Sequence, residues 1–188
     1  MEQTSSSGAE RWLARAQQGD REALDALVRS YRPSIYRYCR ARLGSHELAD
    51  DVTQEVCMAL VQALPRHRTG EHSLSAFVFG IAANQVAMAH RSQYRRRDEP
   101  TATLPEVAEP GPGPEELAQG SSAAESVRQL LDYLPDNDRQ ILLLRLAAGL
   151  SSQDTGEVLG MSAGAVRVAQ HRALTSLRRL IDETQVLR

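Results

Sequence analysis

The chain has 188 residues, with 22 basic and 24 acidic side chains and 41% apolar residues, a composition typical of a soluble, helix-rich protein. No apolar run reaches the roughly 18 residues of a membrane span, and the N-terminus lacks the basic and apolar regions of a secretory signal. We therefore expect a cytoplasmic protein without membrane insertion. Cys39 and Cys57 have neither a metal-ligand nor a C-x-x-C spacing, so we expect two reduced, partly buried thiols.

Four helices are predicted in the first half of the chain, over 9–17, 21–42, 46–64 and 73–97. Asp20, Ser45 and Ser73 each precede a helical pattern and can accept a hydrogen bond from a free backbone N–H group, so we expect them to be N-caps. Pro33 lies near the middle of the second helix, where we expect only a mild perturbation.

Residues 98–122 are predicted to form an extended, disordered linker. This segment contains five of the eight prolines, six acidic residues and no basic residue, a composition that cannot bury a core. The chain is thereby divided into a domain over 1–97 and a domain over 123–188.

The second domain is predicted to contain four helices, over 121–133, 136–148, 151–158 and 162–183. Gly160 can adopt the left-handed conformation of a tight turn, and Ser162 can cap the helix that follows. A helix, a glycine turn and a second helix are typical of a helix-turn-helix motif. We find no strand alternation, so the expected fold class is all-α, with two small helical domains.

The last helix has an apolar side and an acid-free basic side, which favours contact with DNA phosphates and base edges. An ordinary solvated face is the alternative. The candidate residues on this surface are Ser162, Arg167, Val168, His171, Arg172 and Arg179.

The helix over 46–64 presents a different kind of surface. Asp51, Gln54, Glu55 and Met58 share an arc that lies beside the apolar side of the helix. An acidic arc with one adaptable apolar contact suits a basic protein partner better than DNA. A solvated acidic face is the alternative.

The helix over 73–97 ends in a basic cluster. Tyr94 could stack on an unpaired base, and Arg91 and Arg95 could hold phosphates, with His90 on the face of Tyr94. The alternative for the arginines is a solvated helix C-terminus that the helix dipole favours. Asn84 lies near the apolar face and is either a buried amide or a DNA contact.

Three stretches carry a family resemblance. The segment LLDYLPDNDRQILLLRLAAGLSSQDTGEVLGMSAGAVRVAQHRALTSLRRL resembles region 4 of bacterial sigma factors of the sigma-70 family. SHELADDVTQEVCMALVQALPRHR resembles region 2.2, and SLSAFVFGIAANQVAMAHRSQYRRR resembles regions 2.3 and 2.4. Gly156 stands where the family usually has alanine, and Val78 stands where it usually has tryptophan. Neither region 1.1 nor a full region 3 is recognisable, which is the layout of group IV, or extracytoplasmic-function (ECF), sigma factors.

The resemblance implies a set of partners. Asp51, Gln54, Glu55 and Met58 would bind the β′ clamp helices of core RNA polymerase, and the C-terminal domain would bind the β flap. The last helix would contact the promoter -35 element, and the linker would either mimic the charge of RNA or act as a passive tether. An anti-sigma factor is expected, which could hold the protein at the membrane; in the holoenzyme the protein would be associated with the nucleoid.

The resemblance also implies a site for the melted -10 element. The loop over 65–73 would form a pocket for a flipped base, with donors from Arg66, His67, Arg68 and His72, unless it is merely a flexible surface loop. The remaining -10 residues are Asn84, His90, Arg91, Tyr94 and Arg95. We expect no catalytic residue, metal or cofactor. The alternative function is a helix-turn-helix regulator, similar to LuxR-like effector domains, that is not a polymerase subunit.

Overall fold

The computed structural model describes residues 12–68, 70, 72–98 and 127–186. Within these ranges the elements are α1 (12–17), α2 (Arg21–Leu43), α3 (His46–Ala63), α4 (Leu74–Asp98), α5 (127–132), α6 (Asp136–Leu142), α7 (Ser152–Leu159) and α8 (Ala163–Val186). The predicted all-α fold class is confirmed. The first residues of the predicted 9–17 helix and residues 99–122 of the predicted linker lie outside the described ranges, so the domain boundaries stay a prediction.

The predicted N-caps are confirmed. The Asp20 carboxylate accepts hydrogen bonds from the backbone N–H groups of Glu22 and Ala23, and the Ser45 hydroxyl accepts one from Leu48. Ser73 Oγ accepts one from the N–H of Ala76 at 3.0 Å. Because these bonds satisfy N–H groups that no helix carbonyl reaches, short polar residues at these positions define where α2, α3 and α4 begin.

Helices α2, α3 and α4 pack together around one apolar core. The fully buried side chains include Leu27, Ile35 and Tyr38 of α2, Val56 and Leu60 of α3, and Phe79 and Val86 of α4. Tyr38 and Phe79 meet edge to face, with ring centroids 5.9 Å apart and planes at 87°. Each of these large side chains contributes about 1.5–3 kcal/mol by leaving water, so the core fixes which faces of α3 and α4 remain outside.

The helix predicted over 136–148 is not uniform. It is an α-helix over Asp136–Leu142 and continues as a π-helical turn over Leu143–Ala147. The backbone N–H of Ala148 accordingly donates to the carbonyl of Leu143, five residues earlier. Residues 141–144, on both sides of this junction, are all buried, and a single π-helical turn of this kind is a rare insertion within an α-helix.

The predicted helix-turn-helix is confirmed as α7, a turn at Gly160 and α8. Ser151 and Asp154 form a capping box at the start of α7. Gly160 ends α7 with φ +66°, in the left-handed region that favours glycine. Ser162 Oγ then accepts a hydrogen bond from the N–H of Ala165 at 3.1 Å and begins α8.

Gly156 lies where α7 and the turn approach most closely. Its carbonyl accepts a hydrogen bond of 2.8 Å from the N–H of Met161, and a Cβ atom built on Gly156 would lie 2.4 Å from the Met161 carbonyl oxygen. Gly156, which departs from the family pattern, therefore permits a close backbone contact. A residue with a Cβ atom at this position would clash with the Met161 carbonyl.

Gly156→Ala is expected to lower stability by about 1–2 kcal/mol, because overpacking against backbone costs about 1–3 kcal/mol and outweighs the gain of up to about 1 kcal/mol in helix propensity. Gly164→Ala in α8 is the matched control, since the nearest atom to its new Cβ is the Ser162 hydroxyl at 3.8 Å. Urea unfolding of both variants measures the difference. Equal stability of the two variants would contradict the close contact.

The two thiols have different environments. Cys39 is fully buried, and burial raises the pKa of its thiol to about 11. Cys57 is half-buried and its pKa is also raised, again by burial. Because the thiolate is the reactive form, we expect a thiol reagent at pH 8 to modify Cys57 slowly and Cys39 only after unfolding. Counting modified cysteines by mass spectrometry with and without denaturant tests this, and modification of native Cys39 would contradict it.

Candidate protein and nucleic-acid interfaces

The predicted acidic arc of α3 is exposed. Asp51, Gln54, Glu55 and Met58 all lie at the surface, and the Met58 residue is 51% exposed. The opposite side of α3 is buried, with Ala49, Val52, Val56 and Leu60 in the core. A carboxylate pair beside an exposed thioether can form ion pairs and apolar contacts with a basic protein surface.

An open groove of about 870 Å³ runs between α3 and α4. Asp51 and Glu55 line its α3 side, whereas Arg91, Tyr94 and Arg95 line its α4 side. The predicted polymerase-binding and -10 residues therefore meet along one groove, with acidic and basic walls. Tyr94 is 71% exposed, so its ring is free to stack on a partner, as an unpaired base requires.

The other α4 candidates also lie on the surface. Asn84 is exposed, so the interpretation of Asn84 as a buried amide is wrong. His90 is exposed too, although partial burial and the nearby Arg42 guanidinium lower its pKa. The ring of His90 is thereby favoured in the neutral form, which can still donate or accept a hydrogen bond.

The loop after α3 is anchored at its start. Leu64–Arg66 form a 3-10 turn, and the Gln17 side-chain amide donates to the carbonyls of Leu64 and His67 at 3.2 and 2.7 Å. The His67 ring is buried against Phe77, with centroids 4.6 Å apart, whereas Arg66 and Arg68 are exposed. In this arrangement the two arginines face solvent, whereas the His67 ring would have to leave its contact with Phe77 to donate to a flipped base. The role of His67 in the -10 pocket stays a prediction.

The predicted face of α8 is exposed as expected. Val166, Ala169 and Ala173 are buried on the inner side. All the candidates on the outer side lie at the surface: Ser162, Arg167, Val168, His171, Arg172 and Arg179. Arg179 has one acidic neighbour that was not considered in the sequence analysis. Its Nε atom lies 3.7 Å from Oε1 of Glu183, which is one turn farther along α8.

Arg172 has a partner within the domain. Its guanidinium donates two hydrogen bonds to Asp138 of α6, from Nε at 3.1 Å and from Nη2 at 2.5 Å. These bonds raise the pKa of Arg172. Asp138 is buried, with only 4% of the residue exposed. Arg172 therefore connects α8 to α6 and supplies hydrogen-bond donors to a buried carboxylate. Periodicity along α8 gave no signal for this pair, which spans 34 residues.

Within the described ranges, no helix is long and apolar enough to cross a membrane. The same ranges contain no group of three or more His, Cys, Asp or Glu residues placed to hold a metal ion. The observed features are a helix-turn-helix with an exposed basic face and a separate acidic face on another domain. Together they define a two-domain helical DNA-binding protein that also has a surface suited to a protein partner.

Comparisons with known proteins identify the family. The family model described as Sigma-70 region 2 matches residues 27–96, and the model described as Sigma-70, region 4 matches residues 124–177. The chain is 46% identical over 170 residues to the ECF RNA polymerase sigma factor SigD of Mycobacterium tuberculosis strain H37Rv, covering 88% of this chain and 80% of SigD.

Two solved structures share the fold. CnrH, in complex with the cytosolic domain of CnrY, superposes with a TM-score of 0.72 at 23% identity, covering 94% of this chain and 98% of CnrH. The sigma factor RpoE from Bartonella quintana, in complex with the anti-sigma factor NepR, superposes with a TM-score of 0.60 at 21% identity, covering 81% of this chain and 92% of RpoE.

The chain belongs to the ECF RNA polymerase sigma factors of the sigma-70 family. It is a transcription initiation factor whose partners are core RNA polymerase and promoter DNA, and no enzymatic activity is indicated for this family.

Proposed function

We propose that the acidic arc of α3 binds core RNA polymerase and that α8 contacts the -35 element. The single observation that carries this assignment is the separation of charge between the domains. Asp51 and Glu55 are exposed on α3 of the first domain, while Arg167 and His171 are exposed near the start of α8 in the second. One chain thus offers a surface that attracts a basic protein and another that attracts DNA phosphates.

The -10 element is proposed to bind along the loop after α3 and the outer face of α4. Arg66 and Arg68 would hold phosphates, Asn84 and His90 would hydrogen-bond to bases, and Tyr94 would stack on an unpaired base, with Arg91 and Arg95 beside it. Flipping a base costs on the order of a few kcal/mol, which binding energy from the polymerase complex would offset. We assign no catalytic step to this chain.

Regulation by an anti-sigma factor is part of the proposal. The sigma factor RpoE of Bartonella quintana, which shares this fold, was solved in complex with the anti-sigma factor NepR. By analogy, such a partner would hold this protein inactive in the cytoplasm, or at the membrane if the partner is itself a membrane protein. Once released from this partner and bound to core RNA polymerase, the protein would be associated with the nucleoid.

Transcription in vitro tests the proposed function. The purified protein is added to sigma-free core polymerase from its own host, with fragmented genomic DNA, and transcript 5′ ends are mapped. We expect discrete starts that share two upstream motifs about 16–18 base pairs apart, the spacing that the family resemblance implies. Footprints on DNA without polymerase, in the absence of any starts, would favour the plain helix-turn-helix regulator.

A further inference from the structure

Val168 is an apolar side chain on a helix whose exposed residues are mostly polar. It lies in the second turn of α8, and 68% of the residue is exposed. Among the residues that the structure describes, it is the most exposed of the large aliphatic residues. Single apolar residues are common on protein surfaces, so the position of Val168 on the helix decides whether it has a function.

The packing of the domain does not explain this valine. Val166, Ala169 and Ala173 are the buried residues of α8, and Val168 is rotated by about 100° to 160° from each of them around the helix axis. In the part of the chain that the structure describes, Val168 belongs to neither apolar cluster. Helix propensity does not explain it either, because a β-branched residue is less favourable than alanine at an exposed helix position.

The neighbours of Val168 on the helix surface are also exposed. Residues three and four positions away share its face, and these are Gly164, Ala165, His171 and Arg172. Because Gly164 and Ala165 are small, the valine is the largest apolar group at the start of this face. A recognition helix meets base edges with its N-terminal turns. With α8 assigned to the -35 element, Val168 therefore lies where the helix enters the major groove.

The two arginines closest to Val168 have different surroundings. The Arg172 guanidinium donates from Nε and Nη2 to Asp138, so this edge of the guanidinium is occupied. Arg167 is exposed one position before the valine, and an arginine can donate two hydrogen bonds to guanine. Since valine has neither a donor nor an acceptor in its side chain, it recognises a different kind of group from its arginine neighbour.

The major groove offers one apolar group to such a side chain. It is the C5-methyl group of thymine, whereas the other recognition groups on the base edges are hydrogen-bond donors and acceptors. Contact between valine and this methyl group removes apolar surface of both partners from water. The same valine against an amino or carbonyl group would leave that polar group without a partner. The side chain therefore favours thymine at the position that it faces.

We infer that Val168 is a specificity-determining residue that recognises the C5-methyl group of a thymine in the -35 element. The contact selects thymine at one position by apolar burial, while hydrogen bonds from other residues of α8 select the neighbouring bases. This inference rests on the proposed contact between α8 and the -35 element. It adds the chemical group that is recognised at one position and the side chain that recognises it.

Replacement of thymine by deoxyuridine tests the inference, because it removes the methyl group and keeps every hydrogen-bonding group of the base. Each thymine of the mapped -35 element, on either strand, is replaced in turn in a labelled promoter fragment. The holoenzyme, formed from this chain and core polymerase of its host, is titrated against each fragment. We expect one of these replacements to weaken binding about fourfold, the factor for burying one methyl-sized group.

Val168→Ala completes the comparison, since it removes the two methyl groups of valine and raises helix propensity. In this variant the same replacement should change affinity by less than about 1.5-fold, because the double-mutant cycle isolates the contact between the two groups. Val127→Ala is the matched control. It makes the identical change at a residue that is 55% exposed but lies on α5, so it should keep the fourfold difference between thymine and deoxyuridine.

A wild-type holoenzyme that is insensitive to every deoxyuridine would overturn the inference. A Val168→Ala variant that keeps the fourfold difference would overturn it too, and so would a mapped -35 element without an A·T pair. Failure of the proposed function gives a different result. In that case the mapped transcript starts would share no -35 motif, or scrambling the motif would leave transcription unchanged.

Discussion

Asp51→Arg is expected to weaken binding to core RNA polymerase at least about thirtyfold, or about 2 kcal/mol, because placing like charges against each other in a complementary interface costs several kcal/mol. Asp51 is exposed on α3 and lines the groove between α3 and α4, so the substitution should leave the thermal midpoint unchanged. Affinity measured by fluorescence anisotropy of labelled protein with purified core polymerase gives the result.

Glu22→Arg is the matched control for this prediction. It makes the same change of charge on an exposed position in the first turn of α2, and Glu22 is not among the residues that line the groove. Its affinity should remain within about threefold of the wild type, since rim charges chiefly change association rates. Equal losses in the two variants would mean that general charge, and not the acidic arc, governs the affinity.

Arg167→Ala is expected to reduce transcription from promoters with a -35 element by about tenfold to a hundredfold. Arg167 is exposed in the first turns of α8, and a bidentate arginine–guanine contact is worth about 1–3 kcal/mol of discrimination. The effect should vanish on a promoter whose -35 sequence has been scrambled. Arg178→Ala changes an arginine on the same helix, farther from its start. It should lower transcription from the original and the scrambled promoter by the same factor, and that factor should be smaller than the loss in Arg167→Ala.

Arg172→Ala is expected to behave differently from Arg167→Ala. Removing the guanidinium leaves the buried Asp138 carboxylate without its partner, so the thermal midpoint should fall together with -35-dependent transcription. Combining Arg172→Ala with Asp138→Asn should recover part of the stability, because the uncompensated charge is gone, without recovering DNA binding. An unchanged midpoint in Arg172→Ala would show that the pair has no structural role.

Much of the local structure was predictable from the sequence. Asp20, Ser45 and Ser162 cap the helices that the apolar periodicity placed after them, and Gly160 forms the predicted turn. The exposure of the acidic arc and of the basic face of α8 followed from the same periodicity. These features depend on residues within one or two helical turns of each other, so a linear pattern contains them.

The tertiary structure alone decided which distant side chains meet. Arg172 and Asp138 are 34 residues apart, and Ser73 and Asp154 are 81 apart. The burial of His67 against Phe77 and the contact of Gly156 with the Met161 carbonyl likewise depend on how the elements pack. The sequence by itself thus determined most of the helices, the N-caps at Asp20, Ser45, Ser73 and Ser162, the two charged faces and the family resemblance. Packing decided how the domains meet and which charged side chains are engaged, because such contacts depend on the relative position of elements that no local pattern specifies.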